Sequence, residues 1–396
     1  MYRILIIFSI TFVVKYTFGQ EENTMPLYPY KYSLEIAQGL SSGEMRVHKA
    51  AQNYSYIGKY HLALNTPNEV DLEWGFDTLT DVDKAYFKQF KAHDAVDAIL
   101  DQAEKERIII LNEAHHKPVH RVFVQKLLKG LYKRGYRHLG LEALTNFNQI
   151  DSSINARGYP INSPFSGEYI NEPQMANLIR QALDEGFQVF AYEKFGTNRD
   201  SSQARMIQEV IEQNPDDKVL VLCGWYHLLE QENRTRTWMA KYLKEFTGID
   251  PFTIYQDILI EKYCRQESPF MQMMEYDQPT VFKDKSGKFY NGHKENLRFD
   301  ALLYHPRTRY IFNRPDWLVH HQNNQLVSVT DIGINYPCLI KAYHAKEPDE
   351  SVPVDIIERS FEDDLTALVL PPGKYRVVIE NQKGEKEVKE IVVANR

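Results

Sequence analysis

The sequence predicts an α/β protein: a parallel sheet flanked by helices on both faces, followed by a small C-terminal all-β sandwich. Three observations carry this reading. Between residues 81 and 320, short apolar runs alternate with stretches whose apolar residues recur at helical spacing. The apolar runs show no polar alternation, as strands covered on both faces require. After residue 321 the helical pattern stops, and short β runs separated by turn residues replace it.

The elements follow in order. Residues 81–106 are helical, with Phe87, Phe90, Ala95, Ile99 and Ala103 at helical intervals. Residues 107–112 (RIIILN) form the first buried strand. The helix over 120–134 carries Val124, Leu127, Leu128 and Leu131 on one stripe and stops at Gly135. Strand 137–141 (RHLGL) precedes a helix that begins at Glu172-Pro173 and ends at Gly186. Strand 187–192, helix 201–213, strand 218–223, helix 235–246 and strand 252–260 continue the alternation. A hairpin is expected around 285–288, and 298–304 (RFDALLY) reads as one more strand of the main sheet. The β-sandwich over 321–396 has turns at Pro371-Pro372-Gly373 and around Lys383-Gly384.

The N-terminus reads as a targeting segment. Arg3 precedes an apolar run over 4–14, too short for the ~20 residues that span a bilayer. Thr17 and Gly19 supply small residues for cleavage, so 1–19 is expected to be a signal peptide and the protein to be exported, periplasmic or extracellular. Residues 20–80 read as an extension packed on the main domain, with strand structure over 54–64. No later run suits a transmembrane segment.

Composition excludes several classes. Hydrophobic residues are 43% and charged residues 26%, which rules out a disordered or coiled-coil chain. Lys and Arg number 47 against 54 Asp and Glu, so no basic excess exists for general nucleic-acid binding. Cys223, Cys264 and Cys338 are widely spaced, which excludes a disulfide framework and a four-cysteine zinc site.

In parallel sheets, ligands bind at the carboxyl ends of the strands. There the sequence places Glu113 with His115 and His116, then Glu142, then Glu193, then Gly224-Trp225-Tyr226-His227, and the fifth strand carries Gln256-Asp257. Buried charges need partners, and a shared polar site supplies them. His115 shares a side of the chain with Glu113, two residues back, and is preferred to His116. Gly224 allows either a left-handed turn or a close approach. Trp225 and Tyr226 would wall a pocket, and Glu193 would contact substrate. The long loop from Glu142 to Glu172 would form a lid, with Arg157 anchoring an anionic substrate group. GxSxG, GxxxxGKS, GxGxxG and HExxH are all absent. A carboxylate–imidazole set without a protein nucleophile suits activation of water, by histidine alone or by a histidine-held metal.

Glu113 and His115, Glu142, and Gly224 through His227, in this order and at these strand ends, resemble the superfamily of erythromycin esterases, ChaN-type haem-uptake proteins and Tiki/TraB proteins over residues 105–260. Asn112 stands where a Gly is usual, and a lipid-anchoring Cys is lacking. The resemblance implies one of three activities. Tiki-like members are metal-dependent proteases with two GxxH motifs and a glutamate. Erythromycin esterase-like members open a macrolactone with a histidine base. ChaN-like members bind haem. The expectation is an exported hydrolase of an ester or peptide bond in a small-molecule or peptide substrate, with His115, Glu113, Glu142 and His227 catalytic. His115, Glu142 and His227 could hold zinc, manganese or iron, bound weakly enough that the metal-free protein folds. The alternative is a binder of haem or another planar ligand, walled by Trp225, Tyr226 and Tyr192.

Overall fold

A computed structural model describes residues 28–66, 79–146, 149–163, 166–167, 169–231, 236–262, 268–292 and 298–395. The expected signal peptide and Cys264 lie outside the described residues. The described chain opens with helices α1 (Ser33–Ser42), α2 (Val47–Tyr56) and α3 (Tyr60–Asn65). The stretch 54–64 is therefore largely helical rather than a strand. Its buried residues Tyr54, Ile57, Tyr60 and Ala63 recur every three positions, and Tyr54, Ile57 and Ala63 pack with Tyr32 and Ile36 against Leu339 and Ile356. The extension packs on the main domain, where Tyr30 donates to the Asn171 carbonyl at 2.9 Å and Tyr60 meets Val122, and it also shares an apolar core with Leu339 and Ile356 of the C-terminal module.

The main domain starts with α4 (Asp81–Phe87), capped by Thr80, then β1 (Lys91–Asp94) and α5 (Ala95–Ala103), capped by Asp94. Next come β2 (Ile108–Glu113), α6 (Val119–Lys133) and β3 (Tyr136–Leu141). A short hairpin of β4 (Thr145–Asn146) and β5 (Gln149–Ile150) and the single turn α7 (Ile154–Arg157) fill part of the loop expected to be a lid. Glu172 caps α8 (Pro173–Glu185) by accepting from the Met175 N–H, and Gly186 ends it at φ +100°. β6 (Gln188–Ala191), α9 (Arg199–Gln213), β7 (Lys218–Gly224), α10 (Met239–Thr247), β8 (Phe252–Leu259), β9 (Thr280–Lys283) and β10 (Ala301–Tyr304) complete the domain.

These strands form an 8-stranded sheet in the order β1-β9-β10-β8-β2-β7-β3-β6. Pairing is parallel from β10 through β6, and β9 is antiparallel to its neighbours. Helices cover both faces, because successive strand side chains point to opposite sides. Ile109, Leu111, Leu220 and Leu222 pack with α5, α6 and α8 on one face. Ile108, Ile110, Val219, Val221 and Cys223 pack with α4, α9 and α10 on the other. Residues 252–260 and 301–304, both expected as strands of this sheet, pair in parallel as β8 and β10. No helix among the described residues is long and apolar enough to cross a membrane.

β11 (Tyr310–Ile311), β12 (Arg314–Pro315), α11 (Asp316–Val319) and β13 (Gln325–Val327) lead out of the domain. β14 (Cys338–His344), β15 (Asp355–Arg359), β16 (Leu368–Leu370), β17 (Gly373–Asn381) and β18 (Lys386–Val393) follow. An antiparallel sheet β15-β14-β17-β18 and the pair β13-β16 enclose a common apolar core. This module grips the loop after β3: Val352 N–H donates to Pro160 O at 3.0 Å, and Arg180 of α8 pairs with Glu347 at 2.6 Å.

Candidate active site

The carboxyl ends of β2, β3 and β7 are adjacent, so Glu113, Glu142 and Gly224 meet although they are far apart in sequence. Glu113 is the last residue of β2. Its carboxylate takes two hydrogen bonds from Arg121, Nε at 2.6 Å and Nη2 at 3.1 Å, and faces His115 Nδ1 at 3.0 Å. Burial opposes its ionisation, but the Arg121 guanidinium and His115 hold the carboxyl down at about 2. An ionised Glu113 accepts, so the hydrogen of His115 sits on Nδ1 and Nε2 presents a lone pair. Arg121 is fully buried. It also pairs with Glu172 at 2.8 Å and donates to the His115 carbonyl at 3.0 Å.

Glu142 begins the short turn after β3. Its Oε2 accepts from the Gly224 N–H at 2.5 Å and its Oε1 from Arg199 Nη2 at 2.9 Å. Burial works against its charge, yet His227, His115 and Arg199, with the Gly224 N–H, keep the carboxyl below its ordinary range. Arg199 also holds Glu193, Nε to Oε1 at 2.8 Å, and Gln203 donates to the same carboxylate at 2.8 Å. Glu193 is thus a partner of Arg199.

Gly224 serves close approach, not a left-handed turn. A Cβ there would lie 2.6 Å from His115 Cε1, 3.0 Å from His115 Nε2 and 2.9 Å from Glu142 Oε2. The left-handed residue is Trp225, at φ +45°, a costly conformation for a bulky side chain. Asn112 holds it there. Its Nδ2 donates to the Trp225 carbonyl at 2.8 Å, and its Oδ1 accepts from the Gln256 N–H at 2.7 Å. The Trp225 N–H donates to the Glu113 carbonyl at 2.9 Å. The turn swings His227 inward, where its Nδ1 meets Asp200 Oδ1 at 2.6 Å. Asp200 lies in the first turn of α9 and also pairs with Arg236 at 2.6 Å.

Rings enclose His115. Tyr169 stacks on it with centroids 3.8 Å apart and planes 16° apart, and Trp225 meets it edge-on at 5.8 Å. Tyr226 turns away to pack on Trp238 at 5.8 Å. Tyr192 is a core residue: it is fully buried, and its hydroxyl donates to the Leu222 carbonyl at 2.9 Å. Arg157 is engaged inside its own loop, by Asp151 and the Tyr159 carbonyl, instead of standing ready for a substrate anion.

The metal expectation fits these residues poorly. Both oxygens of Glu142 are engaged, one by the Arg199 cation, and a metal would have to share that carboxylate with a guanidinium. Among the described residues no group of three or more His, Cys, Asp or Glu is arranged to hold a metal ion. Sequence reasoning brings together Glu113, His115, Glu142 and His227 but misses Arg121, Tyr169, Arg199 and Asp200. The signal for Arg199-Asp200 is present, since these residues open the helix after the third predicted strand. Arg121 sits six residues after His115 in a helix whose face is invisible until it packs.

No family model matches the chain, and no curated protein matches it. Among solved structures, the chain is similar to the type III effector HopBA1 at 12% identity and a TM-score of 0.31, over 43% of this chain and 86% of that one. It is also similar to RRSP, a MARTX toxin effector domain from Vibrio vulnificus CMCP6, at 16% identity and a TM-score of 0.28, over 64% of this chain and 48% of that one. A further bacterial protein toxin matches at 15% identity and a TM-score of 0.30, over 56% of this chain and 45% of that one. The chain spans less than half the length of these two toxin structures.

Proposed function

We propose that this chain is an exported hydrolase that activates water with two carboxylate-held imidazoles and cleaves an ester or peptide bond. One observation carries the reading. His115 and His227 each have Nδ1 tied to a buried carboxylate, Glu113 and Asp200, and both act electrostatically on Glu142 at the same sheet edge. That arrangement fixes tautomer and ring orientation and stabilises an imidazolium when one forms. His115 Nε2 takes a proton from water as its oxygen bonds to the substrate carbonyl carbon. The bond to the leaving group then breaks, and His227, oriented by Asp200, gives the departing atom its proton. Glu142 and Arg199 set the field between the two rings. Cys223 is no nucleophile: burial pushes its thiol well up, and its side chain belongs to the opposite apolar face.

The resemblance to erythromycin esterases and Tiki-like proteases agrees with this reading. Binding of haem has less support, because Tyr169 covers one face of the His115 ring and Tyr192 is absorbed in the core. The test is turnover of a panel of p-nitrophenyl esters and fluorogenic peptides by wild type, His115→Ala and His227→Ala. Both variants should lose hydrolysis while melting cooperatively. Wild-type turnover by His115→Ala overturns the assignment, and a Soret shift on haemin titration, with no turnover of the panel by wild type, would favour the binding protein.

A further inference from the structure

The C-terminal module carries a free sheet edge that the proposed chemistry does not use. β18 is the outermost strand of the sheet β15-β14-β17-β18, and among the described residues Lys386 through Val393 pair with β17 alone. An edge strand of 8 residues presents a row of open backbone N–H and C=O groups, and proteins usually cover or shorten such edges. This chain covers others. At β6, the edge of the main sheet, the Asn155 side chain takes both open groups of Val189: its Oδ1 accepts from the N–H at 2.9 Å and its Nδ2 donates to the carbonyl at 2.8 Å. At β15, the opposite edge of the C-terminal sheet, Ile356 packs against α1 and α2, and the turn at Gly58 lies against its carbonyl. Among the described residues β18 has neither device.

The side chains of β18 suit one kind of neighbour. Successive residues alternate between the two faces of the sheet. Lys386, Val388, Glu390 and Val392 are exposed on the outer face, with Val388 42% accessible. Glu387 and Lys389 lie on the inner face, 3.2 Å apart, where Lys389 is buried and donates to the Thr330 and Asp331 carbonyls at 2.6 and 2.7 Å. The order Lys386-Glu387-Val388-Lys389-Glu390 reverses every charge when read backwards. A two-fold axis through Val388 therefore sets Lys386 opposite Glu390 on the outer face, Glu387 opposite Lys389 on the inner face, and valine opposite valine at the centre. Moving the axis by one residue sets lysine against lysine at Lys389, or glutamate against glutamate at Glu387. Like charges directly opposite are unfavourable, so the charge order selects one register.

We infer that β18 pairs antiparallel with β18 of a second copy of this chain, about a two-fold axis at Val388, and so joins two C-terminal sheets into one continuous sheet. An open backbone edge accepts any extended strand. The charge order is what fits it to a second copy.

The experiment is analytical ultracentrifugation of the full chain. Residues 386–390 of each copy make a small interface, so wild type should form a weak dimer, with its transition between about 10 and 300 µM. Lys386→Glu alone, or Glu390→Lys alone, turns two symmetry-related pairs from attractive to repulsive and should weaken the dimer at least about tenfold. Both positions are exposed, so melting curves should stay cooperative. An equimolar mixture of the two single variants should dimerise as wild type does, because each altered charge then meets its opposite across the interface. Wild type that stays monomeric up to about 300 µM overturns the inference and leaves the edge to a strand of another protein. A dimer that neither single variant weakens overturns it as well, and so does a mixture of folded variants that stays monomeric.

Discussion

Adding one methyl group at Gly224 tests the geometry of the site more cleanly than removing a side chain. The backbone at Gly224 does not have positive φ, so alanine is conformationally acceptable there. The new Cβ would stand 2.6 Å from His115 Cε1 and 2.9 Å from Glu142 Oε2, well inside van der Waals contact. Neither neighbour can yield freely. His115 is pinned between Tyr169, 3.8 Å away, and Glu113, 3.0 Å from its Nδ1, while Glu142 is held by Arg199 and by Gly224 itself. Relief requires a ring or carboxylate shift approaching ~1 Å, and overpacking of this kind costs about 1–3 kcal/mol. A displacement of that size costs on the order of 10²-fold in turnover. The assay is a urea titration with turnover of the ester and peptide panel. The His115 Cε1–H NMR signal supplies a readout that needs no substrate. The variant should fold, lose activity by about two orders of magnitude and shift the His115 signal while leaving that of His321 in place. Wild-type turnover with an unmoved His115 signal would refute the reasoning.

Other consequences follow from the same contacts. Arg121→Met leaves Glu113 and Glu172 buried without their shared cation and should cost about 3–5 kcal/mol by urea denaturation, far more than an exposed Arg. Glu113 is held at about 2 against an ordinary 4.5, so its contribution is present above pH 4.5 and lost as pH falls toward 2. Compared with Glu113→Gln, wild type should lose about 3 kcal/mol of its advantage across that window in acid denaturation, and a constant difference would contradict it. Dialysis against EDTA should leave the melting temperature unchanged, because the site residues are organised by Arg121, Arg199 and backbone N–H groups. Unfolding on chelation would show that a metal supplies folding free energy.

The fold class is legible in the chain because burial on both faces leaves a strong mark. Runs such as 107–112 and 218–223 carry no polar alternation, and the helices between them carry stripes and stop signals. The positions of Glu113, Glu142 and His227 follow from the rule that parallel strands present their carboxyl ends together. The helical nature of 54–64 escapes because a short aromatic segment fits either period until its partner is known, and that partner, Leu339 with Ile356, lies nearly 300 residues on. The supporting shell escapes for a related reason. Arg121, Asp200 and Arg199 are ordinary polar residues near helix starts, and Tyr169 sits in a long loop. Only the strand order, which puts β7 between β2 and β3, brings Gly224 against His115 and Glu142. The sequence by itself determined which residues reach the sheet edge, since that depends on local period and chain direction. Tertiary structure decided which of them touch, and that Trp225 rather than Gly224 takes the left-handed turn, because contacts between distant segments set the distances through which charges and rings act.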